Sequence, residues 1–238
     1  MYKNSFLVNS RISHPISVRD RKYKFFPTTK NELINTINNL LAVGETNLNC
    51  IDVTNIEDMS YLFYLIDKIP PDIMQFLDIS EWDVSNVKNM HCMFAGCYHF
   101  DCYINDWDVS NVVYTSSMFR YCMSFNQPLD RWNVDNVLNM SGMFSGCKAF
   151  NNNISTWNVS NVLNMSNMFE NCIRFNWDIE NWNVSNVRDF ERMFYECEQF
   201  NQDLSKWNVR NDANINRMFY ESKLINNKNI PDWYIKKI

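Results

Sequence analysis

The chain has 238 residues, a formal net charge of -5 and 46% hydrophobic residues. That balance permits a sizeable buried core and gives no general attraction to phosphate backbones or anionic lipid, which draw on clustered Lys and Arg. No apolar run approaches the roughly 20 residues that span a bilayer, and the start has only a short apolar patch near Phe6 to Val8, where a secretory signal needs about 7 to 15 residues. The expectation is a monomer with no nucleic-acid role, no membrane span and no signal peptide, kept inside the cell in preference to its surface.

The first element in chain order is a helix. In "TTKNELINTINNLLAVG", Thr29 and Glu32 form a capping-box pattern, Leu33, Ile34, Ile37, Leu40 and Leu41 form an apolar stripe, and Gly44 is a stop signal. Residues 1–46 therefore read as an N-terminal cap segment. From Ile51 a motif begins that returns, after a six-residue excess containing Pro70-Pro71, at Trp82 and then every 25 residues at Trp107, Trp132, Trp157, Trp182 and Trp207. Met-Phe pairs starting at Met93, Met118, Met143, Met168, Met193 and Met218 keep the same step. A period held without slippage over six copies predicts a repeat array. Counting the irregular first copy gives seven coils over residues 47–222. The last copy decays, with Asp212, Ile215 and Ser222 in apolar or Cys positions, and residues 223–238 read as a C-terminal cap.

Each unit changes period halfway. Ile or Leu three residues before Trp, the Trp itself and Val two residues after it predict a strand, as in Ile154, Trp157 and Val159. Met165, Met168, Phe169, Cys172 and Phe175 then follow at helical spacing and predict a short helix. One unit cannot bury both apolar faces, so units must stack with their strands paired in parallel. The fold class predicted is an α/β repeat: a right-handed solenoid with a parallel strand ladder, short helices and a helical N-terminal cap. A column of Asn, from Asn86 through Asn211, falls just after each strand, where an amide can satisfy backbone groups leaving the sheet.

The unit written out, as in "WNVSNVLNMSNMFENC", closely resembles the 25-residue repeat of the BspA-like leucine-rich-repeat proteins, also found in mycoplasma-type surface lipoproteins. The resemblance covers roughly residues 51 to 222. It implies a leucine-rich-repeat-like solenoid and binding in place of catalysis, and many relatives look like surface adhesins or antigens.

The residues point to no chemistry of their own. Cys97, Cys122, Cys147, Cys172 and Cys197 share one repeat position and read as a buried column of free thiols, because in-register Cβ vectors point the same way and do not face each other. Eight thiols without evident pairing fit a reducing compartment. In "HCMFAGCYHFDC", His91, Cys92, Cys97, His99 and Cys102 match no usual zinc spacing. His14 is the only other histidine, and no nucleophile stands beside a base, so catalytic residues, metal and cofactor are all expected to be absent.

What remains is the row flanking the tryptophans. It runs from acidic Glu81, Asp83, Asp106 and Asp108 through Arg131 and Asp135 to basic Lys206 and Arg210. Solenoids bind macromolecules on such extended faces. The function expected is a non-enzymatic protein-interaction module that uses this row for a protein partner the sequence does not identify, with a cell-surface adhesin or antigen as the alternative.

Overall fold

The computed structural model describes residues 22–64, 66, 71–226 and 230–238. Helix α1 (Lys30–Ala42) starts where Thr29, in extended backbone, accepts a hydrogen bond from the Glu32 N–H at 3.2 Å. The reciprocal half of the cap is shifted by one residue: Glu32 accepts from the N–H of Thr28 at 2.8 Å, and that bond holds its carboxyl below the ordinary glutamate value. Leu33, Ile37 and Leu41 are buried and belong to the same apolar core as the repeats. Gly44 closes the helix at φ +81°.

The repeats pair in parallel, but not where the apolar alternation suggests. Bridges join Asn89 to Tyr114, Tyr114 to Asn139, Asn139 to Asn164, Asn164 to Asp189 and Asp189 to Asn214, always seven residues after the Trp. The irregular first copy joins the column through Asp58 and Asn89, and its excess holds a 3-10 turn at Pro71–Phe76; Pro70 lies outside the described residues. The expected strand through the Trp is replaced by a tight turn, in which each Trp N–H bonds the carbonyl three residues earlier, as in Trp157 to Ile154 at 3.2 Å.

The segment expected to be a short helix is a run of turns. The N–H groups of Met140, Gly142, Phe144 and Gly146 donate to the carbonyls of Asn164, Ser166, Met168 and Glu170 in the next unit, at 2.7 to 2.9 Å. The alternate N–H groups of Met143, Ser145 and Cys147 donate three residues back in their own unit. A helix would send all of them four residues back, so the adjacent unit outcompetes the helix for half of the donors. The turns require left-handed backbone ten and fourteen residues after each Trp, from Arg217 at φ +52° to Gly96 at φ +79°, and non-glycine residues occupy most of these places.

Side chains extend the same register. Each repeat-position Trp donates its Nε1 proton to the carbonyl of the Ile or Leu one repeat earlier, as Trp132 does to Ile104 and Trp157 to Leu129, both at 2.9 Å. After the last unit come α2 (Lys223–Asn226) and α3 (Asp232–Ile235), and Trp233 repeats the contact on Leu204 at 2.8 Å. Phe rings stack in two columns, for example Phe144 on Phe169 at 5.7 Å and Phe150 on Phe175 at 5.9 Å between centroids. The thiols of Cys122, Cys147, Cys172 and Cys197 each donate to a Phe carbonyl of the preceding unit at 2.9 to 3.1 Å. All eight cysteines are free thiols.

The frequent Asn and Asp have a local reason. Their side-chain oxygens accept from the N–H two residues on, closing Asx turns at Asn153, Asn158 and Asn164. The separate Asn column bonds between units: the amides of Asn111, Asn136, Asn161 and Asn186 each donate to a carbonyl of the preceding unit at 2.7 Å. Asn161→Ala should therefore lower stability by about 1 kcal/mol, read from the denaturant midpoint. A shift under about 0.3 kcal/mol would leave the amide without a stabilising role.

Candidate functional site

The row flanking the tryptophans is exposed because Trp and the Val two places on turn inward, leaving the residues between and beside them in solvent. Five of its eight charges are already matched. Glu81 meets Lys22 at 3.2 Å, Asp106 meets Arg131, Lys206 meets Glu180 at 3.1 Å, and Arg210 holds Asp212 through two bonds at 2.9 and 3.0 Å. The pairing shows in the titration of the partners: Glu81 raises Lys22, Asp106 raises Arg131, and Arg210 lowers Asp212. The basic end expected from Lys206 and Arg210 is thus neutralised by its own unit and its neighbour.

Three carboxylates of the row form no ion pair among the described residues. Asp83 and Asp108 use one oxygen to close the Asx turns over Ser85 and Ser110, at 3.1 and 3.0 Å. Asp135, in the next unit, is held through its backbone, its N–H donating to Asn133 at 3.0 Å and its carbonyl accepting from the Asn161 amide at 2.7 Å. All three are exposed. A shallow depression of about 300 Å³ lies beside Asp108, lined also by Asp106, Trp107, Arg131 and Asn133; Asp83 and Asp135 do not line it. The expected charge gradient contracts to an acidic patch over three successive units.

The cluster around His91 forms no ligand set. His91 Nδ1 lies 2.6 Å from the Ser116 hydroxyl and Nε2 lies 2.9 Å from the Tyr61 hydroxyl. Cys97 is in the core, and the Cys102 thiol donates to the Tyr103 carbonyl at 3.6 Å. Among the described residues no three of His, Cys, Asp and Glu converge on a point. Burial raises the Cys92 thiol, the reverse of what an activated nucleophile needs. His14 lies outside the described residues.

A second concavity, which the sequence reading missed, lies on the wall formed by the left-handed turns. It measures about 450 Å³ and is bordered by Arg120 and Tyr121 on one side and Glu170 and Arg192 on the other. Its signal in the sequence is "SGMFSG" (residues 141–146), which places two of the four glycines of the chain in one unit. Among the described residues no helix is long and apolar enough to cross a membrane.

The family described as "Mycoplasma protein of unknown function, DUF285" matches residues 31–153 and again residues 127–233. The chain belongs to that family. No curated protein and no solved structure matches it.

Proposed function

We propose that this DUF285 family member is a non-enzymatic interaction module, a leucine-rich-repeat-like right-handed solenoid that presents the Trp-flanking face to a partner protein. The observation that carries this reading is the set of three exposed carboxylates, Asp83, Asp108 and Asp135, left unpaired on successive units where the other five charges of the row are matched. Their charge is not needed for the turns: Asn133, Asn158 and Asn183 close the same turn in the following units. An uncompensated patch on an extended face suits a basic segment of a partner, since complementary potentials set association rate and register.

The test is the triple substitution Asp83→Asn, Asp108→Asn and Asp135→Asn. Folding should change by less than about 0.5 kcal/mol, because surface charges away from the core contribute little. Proteins captured from a native lysate by the parent and released by moderate salt should be lost from the variant, and association with any partner so identified should slow and lose its salt dependence. A captured set and salt response that survive the triple change would remove this face from recognition.

A further inference from the structure

We propose that an amphipathic helix of the partner docks along the column on an exposed apolar row, Val113, Leu138 and Leu163 with Tyr114 beside it, and sets a basic flank on the neighbouring carboxylates. The basic flank rests on the acidic face proposed above, whereas the apolar row is a separate observation.

The row stands six residues after the Trp of each unit. The N–H at this position donates to the carbonyl of the same position one unit earlier: Val113 to Lys88 at 2.8 Å, Leu138 to Val113 at 3.0 Å, and Leu163 to Leu138 and Arg188 to Leu163 at 2.9 Å. These bonds set the five residues in one line down the column. Leu138 and Leu163 are 38% and 39% exposed, and Val113 is half-buried. The fold does not require apolar residues here, because exposed Glu57, Lys88 and Arg188 hold the same place in other units. Scattered surface leucines are ordinary, but three successive apolar residues between Lys88 and Arg188 make a continuous stripe.

Tyr114 departs further from the pattern. The next position along the chain carries Asp58, Asn89, Asn139, Asn164, Asp189 and Asn214 in the other units, and each side chain accepts from the N–H two residues on at 2.8 to 3.1 Å. Tyr114 gives that bond up: among the described residues the Ser116 N–H has no hydrogen-bond partner. The Tyr114 side chain is left 47% exposed. A tyrosine that costs its unit a turn bond and lies in solvent has the character of a binding anchor, the role in which this residue type is enriched at interfaces.

Spacing selects a helix. Successive units lie about 4.8 Å apart, so the row from Val113 to Leu163 covers about 10 Å. Residues i, i+3 or i+4 and i+7 of a helix rise about 10.5 Å and form one apolar stripe, whereas three same-face residues of a strand run about 13 Å and fall out of step. The line from Lys88 to Arg188, about 19 Å long, accommodates about 13 helical residues.

Charge selects the flank. Asp108 and Asp135 precede Val113 and Leu138 by one turn each, closed by the Val112 N–H on the Val109 carbonyl at 2.9 Å and the Val137 N–H on the Val134 carbonyl at 3.0 Å. Long Lys or Arg side chains on that side of a docked helix, itself about 10 Å wide, reach these carboxylates while their stems stay on the apolar row. Lys88, at the acidic end of the row, is matched by Glu57 at 2.8 Å and leaves no repulsion there.

Fluorescence anisotropy on the full chain would use three labelled peptides of about 15 residues built from Leu, Lys and Ala: a helix with Leu at helical spacing and Lys on one flank, the same composition with Leu and Lys in strict alternation, and the helix with Glu for every Lys. The basic helix should bind at least about tenfold more tightly than either other peptide. The double substitution Tyr114→Asn and Leu138→Ala should weaken it by at least about tenfold. Both replacements are residues that other units carry at these places, so the thermal midpoint should be retained, and Tyr114→Asn alone should raise it by restoring the turn bond. The Asp83, Asp108 and Asp135 triple variant should also bind the basic helix more weakly and lose its salt dependence. Binding weakened only by the triple change would overturn the apolar dock and keep the acidic face; binding weakened only by the double change would support the dock and overturn its charged flank together with the acidic face. Equal or tighter binding of the alternating peptide, capture of anionic phospholipid vesicles by the parent but not by the double variant, or a lower midpoint for Tyr114→Asn would each overturn the inference.

Discussion

Trp157→Ala is expected to cost the fold about 3 to 5 kcal/mol, the range for emptying a large buried aromatic site. Trp157 is 3% exposed, with its ring 6.4 Å from Trp132 and 6.2 Å from Phe144. Its indole N–H is also one of the bonds that tie a unit to the one before it, through the Leu129 carbonyl. In a stack whose stability is a sum of unit and neighbour-interface terms, this residue acts at an internal interface, so its loss should divide unfolding into separate steps for the two flanking blocks. Trp157→Phe keeps most of the burial and removes the donor, and should fall between the parent and the alanine variant. Denaturant titration followed at the remaining tryptophans reads all three. An alanine variant within about 1 kcal/mol of the parent would contradict a packed Trp column.

Stability should fall steeply above about pH 9. Cys97, Cys122, Cys147, Cys172 and Cys197 are buried. Burial pushes the Cys97 thiol up to about 12 and lifts the other four well above the ordinary cysteine value. In the unfolded chain the same thiols ionise near pH 8.5. Above that pH the unfolded state releases protons that the folded state retains, so it binds fewer protons and the stability decreases as pH rises. The contribution of these thiols is intact below about pH 8.5 and is lost progressively until the folded thiols themselves titrate, near pH 12 for Cys97. Each thiol contributes a slope of about 1.4 kcal/mol per pH unit, and the five together about 7 kcal/mol per unit, which exceeds ordinary domain stability within about two units. Denaturant midpoints at pH 7.5, 9 and 10 measure it. Replacing Cys122, Cys147 and Cys172 with alanine should reduce the slope to about 3 kcal/mol per unit and separates the thiols from tyrosine and lysine titration. Parent midpoints that stay level from pH 8 to 10 would refute buried, protonated thiols.

Much of this protein was legible in its amino-acid order. The fixed step of 25 residues places every Trp, Met-Phe pair and repeat Cys in the same surroundings as its copies, so one unit's apolar pattern identifies the core of all of them. The capping residues and apolar stripe of α1 were equally local, because a helix terminus is satisfied by neighbours in sequence. The candidate sites were legible only in part. The row from Glu81 to Arg210 was identifiable as exposed from its alternation with Trp and Val, but its net charge was not, because Arg131 is matched by Asp106 and Lys206 by Glu180, each one unit away.

Tertiary structure decided what depends on the neighbouring unit. Met165, Met168, Phe169 and Cys172 have helical spacing and yet form turns, because alternate backbone donors bond carbonyls of the next unit. Pairing settled seven residues after the Trp, where Asn164 and its counterparts meet across units. The second concavity has the same origin: "SGMFSG" reads as turn residues within its own unit, and it becomes a concavity only because Arg120, Tyr121, Glu170 and Arg192 stand in the units on either side. Local preference is set by residues a few places apart, whereas the competition for a backbone donor, the matching of a charge and the depth of a surface are set by groups 25 or more residues away that only stacking brings together.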